Sequence, residues 1–125
     1  MIDYTPEDIL SHLRQTVTKG KYGVDYTIKR RDKNDELREK YLIDDCKIKD
    51  ILLSLTADNY ICSEDSDQED FPDDIVHKFI KNVHLIRRYS DSIIPENVKL
   101  YIKFTWPKQT NKILLIISFH EENKT

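Results

Sequence analysis

The sequence predicts an α+β fold in which two or three N-terminal helices pack on a small antiparallel β-sheet ending in a C-terminal hairpin. Three observations carry this. Leu100, Ile102, Phe104 and Trp106 alternate with Lys99, Tyr101, Lys103 and Thr105, which is the period of a strand with one face in a core. A second apolar run, Ile113 to Phe119, follows a turn-like 107–111 segment, so 98–106 and 112–120 pair as a hairpin. Earlier, Ile9, Leu10, Leu13 and Val17, then Ile48, Ile51, Leu52 and Leu55, recur at helical spacing.

Thr5 caps the first helix, Pro6 takes its first position and Asp8 lies in its first turn, which places it at 6–19. Gly20 can take positive φ at its end. In the 22–29 segment Val24, Tyr26 and Ile28 share one parity, as in a short strand or extended connector. The charged run 30–40 reads as a solvated turn leading into a short helix around 36–41, or as a phosphate-binding basic patch. Asp44 and Asp45 cap the next helix, 44–55.

A strand can start at 60–62, before an acidic loop at 64–74 that contains Pro72. The 75–86 stretch is ambiguous. Ile75, Val76, Phe79, Ile80, Val83 and Ile86 fit a helical stripe, while a strand would put Ile75, His77, Phe79 and Lys81 on one face and Val76, Lys78 and Ile80 on the other. In the last run Ile113, Leu115, Ile117 and Phe119 share one face, and Leu114, Ile116, Ser118 and His120 the other. Matching the apolar faces of the hairpin requires opposed residue numbers to sum to an odd number. Tyr101, Lys103, Ser118 and His120 then stand together on the opposite face.

A chain of 125 residues is the size of one domain, and neither a repeat nor a low-complexity linker divides it. Hydrophobic residues make up 38%, enough for a core and too many for a disordered chain. Cys46 and Cys62 are too few for a disulfide scaffold and lack zinc-ligand partners. No apolar run approaches the ~18 residues that span a bilayer, and no leader is visible, so a cytoplasmic protein without membrane contact is expected. The net charge of -3 conceals seven acidic residues within 64–74; the remainder has 20 basic against 16 acidic residues. A local basic face can therefore still meet phosphates.

The acidic loop lacks the Gly and closing Glu of a helix-loop-helix calcium site, because Asp70 and Val76 stand there. His77 and His84 have no zinc-ligand pattern around them, and two glycines cannot build a phosphate loop. No cofactor is expected. The face with Tyr101, Lys103, Ser118 and His120 is more informative. Metal-free RNA cleavage needs a base for the 2′-hydroxyl, an acid for the departing 5′-oxygen and a cation for the phosphate. A His, a Tyr and a Lys on one rigid hairpin can divide those roles.

KLYIKF at 99–104 with LIISFHEE at 115–122 resembles the closing strand pair of the MqsR toxin family, within the RelE-like class. LSLTADNY at 53–60 and DSDQEDFPDDIVHKFIK at 65–81 resemble that family's helix end with its turn, and its acidic loop with the strand after it. The resemblance covers roughly the last two-thirds of the chain, and implies a strand at 75–83. It also implies a metal-independent mRNA interferase, an endoribonuclease acting on single-stranded mRNA, held inactive by a cognate antitoxin.

Carried over, the family's catalytic Tyr corresponds to Tyr101 and its basic residue after the last strand to His120, where founding members have Lys. The family's Lys and Gln at two other positions fall near Cys62 and within 73–77, and neither is retained. Catalytic candidates are thus Tyr101, His120 and Lys103, and candidate RNA contacts are Lys81, Arg87, Arg88 and His77. The alternative reading is a non-catalytic RelE-like binding module, a phage or mobile-element protein acting through a protein partner.

Overall fold

The computed structural model describes residues 5–65, 74–89, 91, 93–107 and 113–122. Most of the expected acidic loop and hairpin turn lies outside these residues. In chain order the elements are α1 (Pro6–Lys19), β1 (Tyr26–Ile28), α2 (Asp32–Lys40), α3 (Asp45–Leu53), a 3-10 turn (Ala57–Asn59), β2 (Tyr60–Asp65), β3 (Ile75–Leu85), β4 (Glu96–Thr105) and β5 (Leu114–Glu121). The fold is α+β, with helices first and most of the strands after them.

The strands form one sheet in the order β1-β5-β4-β3-β2. β5, β4, β3 and β2 are antiparallel as expected, and β1 adds a parallel edge on β5 through Tyr26↔Leu114 and Ile28↔Ile116. The 75–86 ambiguity resolves as strand. Nine successive residues of β3 pair with β4, so ladder hydrogen bonds and packing of both strands outweigh the helical stripe.

One sheet face carries the core. Phe79, Val83 and Leu85 of β3, Val98, Leu100, Ile102 and Phe104 of β4, and Phe119 of β5 meet the apolar stripes of α1 and α3. Thr5 caps α1 by accepting from the Asp8 amide at 3.2 Å, and Asp44 caps α3 by accepting from the Lys47 amide at 2.8 Å. Gly20 departs from expectation, because its φ is -102°. It is needed for space instead: a Cβ there would lie 2.5 Å from both the Asp25 Cβ and the Thr16 carbonyl oxygen.

The β4–β5 register obeys the odd-sum rule from Leu100↔Glu121 to Lys103↔Ser118, then shifts to Phe104↔Ile116. Ile117 is the extra residue of a bulge. Beyond it Leu114 and Ile116, rather than Leu115 and Ile117, join the core cluster beside Tyr26 and Ile28 of β1. The hydrophobic alternation of 113–119 could not reveal this, because both parities are apolar.

The helix expected around 36–41 begins earlier, at Asp32, and buries only Asn34 and Leu37. Asn34 explains its position. The Asn34 Nδ2 group donates to the Lys29 and Ile117 carbonyls, both at 2.9 Å, and its Oδ1 accepts from the Phe119 amide at 2.8 Å. One side chain thus pairs the edge of β5 where β1 stops. Asn34→Leu leaves the buried Phe119 N–H without a partner and the Ile117 C=O with only the 3.5 Å contact from Arg31, at about 1–3 kcal/mol for each unsatisfied group. Urea unfolding should show a loss of about 2–4 kcal/mol; a loss below about 0.5 kcal/mol would mean that the helix does not depend on this amide.

Candidate active site

The sheet face turned away from α1 and α3 is organised in rows by the strand register. Ile80, Tyr101 and His120 form one row across β3, β4 and β5, and Lys78, Lys103 and Ser118 form the next. The four residues that parity placed together, Tyr101, Lys103, Ser118 and His120, therefore do share a face. The Tyr101 and His120 rings lie 5.5 Å apart at 51°. Ser118 is buried, whereas Tyr101, Lys103 and His120 are partly exposed.

His120 has a defined tautomer. Its Nδ1 lies 2.8 Å from the Glu121 carbonyl oxygen, which can only accept, so Nδ1 carries the proton and Nε2 offers its lone pair. Burial lowers the imidazole pKa, opposed by the bond to Glu121 and reinforced by the nearby charges of Lys33, Arg31 and Lys103. Neutral at pH 7, the ring is a base surrounded by cations.

Lys33 and Arg31 come from the start of α2, the position held by Asn34. Arg31 reaches the Ile117 carbonyl at 3.5 Å. On the β3 side Lys78 pairs with Glu64, and its pKa is raised first by that hydrogen bond and also by the neighbouring Tyr101 phenol. Lys78, Arg31 and Lys33 were not among the candidate site residues. The register exposes Lys78, because a strand at 75–83 puts it opposite Lys103. Arg31 and Lys33 belong to the charged run whose alternative reading was a phosphate patch.

The four expected RNA contacts lie elsewhere. Lys81 is opposite Leu100, on the helix side of the sheet, and its Nζ donates to the Ser54 carbonyl at 3.3 Å. Arg87 makes a two-pronged pair with Glu96 at 2.8 and 2.9 Å and lies 5.3 Å from the centre of the Tyr41 ring. Arg88 Nε donates to the Arg38 and Tyr41 carbonyls, at 2.7 and 3.0 Å. These arginines tie the chain between α2 and α3 to the end of β3.

His77 is the clearest correction. It is only 3% exposed, packed between Phe104 and Trp106, with its Nδ1 2.6 Å from Ser63 Oγ. Such a ring cannot touch RNA. A buried imidazole facing Ser63, its core neighbours and the nearby His12 resists a proton, and its pKa falls to about 4.

Among the described residues no group of three or more His, Cys, Asp or Glu gathers as a metal site, and no helix is long and apolar enough to cross a membrane. Comparison of the chain with protein-family models, with curated proteins and with solved structures finds no match.

The His77 environment has a measurable consequence. The unfolded chain takes up the proton near pH 6.5 and the folded one only near 4, so this group's contribution to stability is full above 6.5 and is lost as pH falls toward 4. Unfolding free energy of the wild type should fall by up to about 3 kcal/mol more than that of His77→Gln over this interval. Parallel curves for the two proteins would contradict the assignment.

Proposed function

We propose that the protein is an endoribonuclease that cleaves single-stranded mRNA without a metal and so inhibits translation. In this reading it is the toxin of a type II toxin-antitoxin pair, cytoplasmic, and of the MqsR-like, RelE-like kind that its residues resemble. The observation that carries the reading is His120: an imidazole fixed through Nδ1, with Nε2 available, beside a phenol and within a cluster of cations.

The chemistry follows from those groups. His120 Nε2 takes the proton of a ribose 2′-hydroxyl, and the 2′-oxygen forms a bond to the adjacent phosphorus. The bond from phosphorus to the next nucleotide's 5′-oxygen breaks, and that oxygen receives the Tyr101 hydroxyl proton. The products are a 2′,3′-cyclic phosphate and a 5′-hydroxyl. Lys103, with Arg31 and Lys33 beyond His120, offsets the charge that gathers on the phosphate oxygens, while Lys78, on the same row, is held by Glu64.

Exposed Tyr89, Ile93 and Ile94 on the connection from β3 to β4, with exposed Leu42, support an antitoxin or other protein partner. They also favour the second reading, a non-catalytic module acting through such a partner. Growth arrest on expression that is relieved by either His120→Ala or Tyr101→Phe excludes that second reading.

With purified protein, cleavage of single-stranded RNA should persist in excess chelator. His120→Ala should lower kcat by roughly 10²–10⁴-fold and Tyr101→Phe by about 10²-fold, while Lys81→Ala leaves it unchanged. The acid limb of kcat/KM should have its midpoint below the ordinary histidine value of 6.5, because the base must be neutral and its pKa is lowered. RNA left intact at high wild-type concentration would sink the proposal.

A further inference from the structure

We infer that the cleft between α2 and the strand ends beside His120 holds a nucleobase next to the scissile phosphate, read by the amides of Asn82 and Asn97. The inference rests on the ribonuclease reading and adds a source of base selectivity to it. The cleft has a volume of about 660 Å³, and His120, Asn82 and Asn97 all line it. That is within the range of ordinary ligand sites and ample for one base.

Its charge argues for a base and against a phosphate. Lys40 pairs with Glu121 at 2.9 Å and Lys99 with Glu122 at 3.0 Å, and Glu36 equals in number the one further cation, Lys33, which also acts on His120, so the lining has no net charge. What remains is neutral and polar: the buried Leu37 and Val98 lie at its floor, and the two asparagines supply exposed amides. Both asparagines are exposed, and neither amide bonds another described residue. An asparagine amide presents one acceptor and a pair of donors, the complement of a base's Watson–Crick or Hoogsteen edge.

The register provides the spacing. Asn97, Lys99 and Tyr101 follow one another on the same face of β4 at about 7 Å per step, and Asn82 stands opposite Lys99. A chain whose phosphate lies at Tyr101 and His120 therefore brings its neighbouring nucleotide to Asn82, with Asn97 one step farther.

Two measurements test this. The first is the cleavage rate of wild type, Asn82→Ala and Asn97→Ala on short single-stranded RNAs that vary the bases flanking the cut; each change should reduce the preferred-to-disfavoured ratio by about tenfold. The second is an NMR titration with the four nucleoside 3′-monophosphates, which should shift the side-chain amide signals of Asn82 and Asn97 together with His120. Cleavage with an unchanged base ratio overturns the base site and leaves the ribonuclease reading standing. Shifted amides without any cleavage leave the base site and overturn the ribonuclease. If neither cleavage nor shifts are seen, both are wrong, and a peptide or protein that shifts the amides where nucleotides do not also overturns the base site.

Discussion

The Asn34 side chain is the contact on which the geometry of the candidate site depends. β1 covers only the first part of the β5 edge, through bonds such as Leu114 N to the Asp25 carbonyl and Lys29 N to the Ile116 carbonyl. Past that point Ile117 and Phe119 would have unpaired backbone groups inside the protein, which native structures avoid. The Asn34 amide serves in place of a strand's peptide, accepting from one residue and donating to the other. Because Asn34 lies on α2, satisfying β5 also fixes α2. Arg31 and Lys33 are carried to the side of His120 by the same contact.

The bulge at Ile117 solves a related problem. β5 has to match two partners at once, β4 from Leu115 to Glu121 and β1 over three residues. Without an added residue, Leu114 and Ile116 would face away from Tyr26 and Ile28, and β1 would have no apolar surface to meet. The slip of one residue turns this half of β5 toward the core, and the other half keeps Ser118 and His120 on the open face. A local defect in the ladder thus permits one strand to serve the core and the site.

The core was legible where apolar residues alternate against polar ones. β4 is such a run, and the α1 and α3 stripes are others, so their elements and caps follow from the residues alone. The faces of β5 were half legible, because Ile113 to Phe119 is apolar on both parities and a bulge leaves no compositional mark. α2 was obscured because it has no stripe; its anchor is a polar residue whose partners lie more than eighty positions away. Charge was the weakest guide. Arg87, Arg88 and Lys81 look like RNA contacts in one dimension, but each has a carbonyl or carboxylate within reach that only the fold supplies. His77 looked polar and proved to be core, since its parity on β3 is that of Phe79 and Val83.

Parity alone groups Tyr101, Lys103 and His120 on one face, whereas the cations that accompany them are selected by burial and by the position of α2. On the open face the cations Arg31, Lys33 and Lys103 act on His120, while in the cleft Lys40 and Lys99 are each paired with a glutamate. On the proposed ribonuclease reading, this difference in electrostatic character would give a bound RNA one orientation across His120, phosphate toward Lys103 and base toward Asn82. The overall net charge of -3 acts in the same direction. A protein that is acidic as a whole gains little from indiscriminate contact with nucleic acid, so under the proposed function productive encounters would depend on the small cationic patch, where the field is local and short in range. On that reading, the patch beside His120 is where such contact would be made.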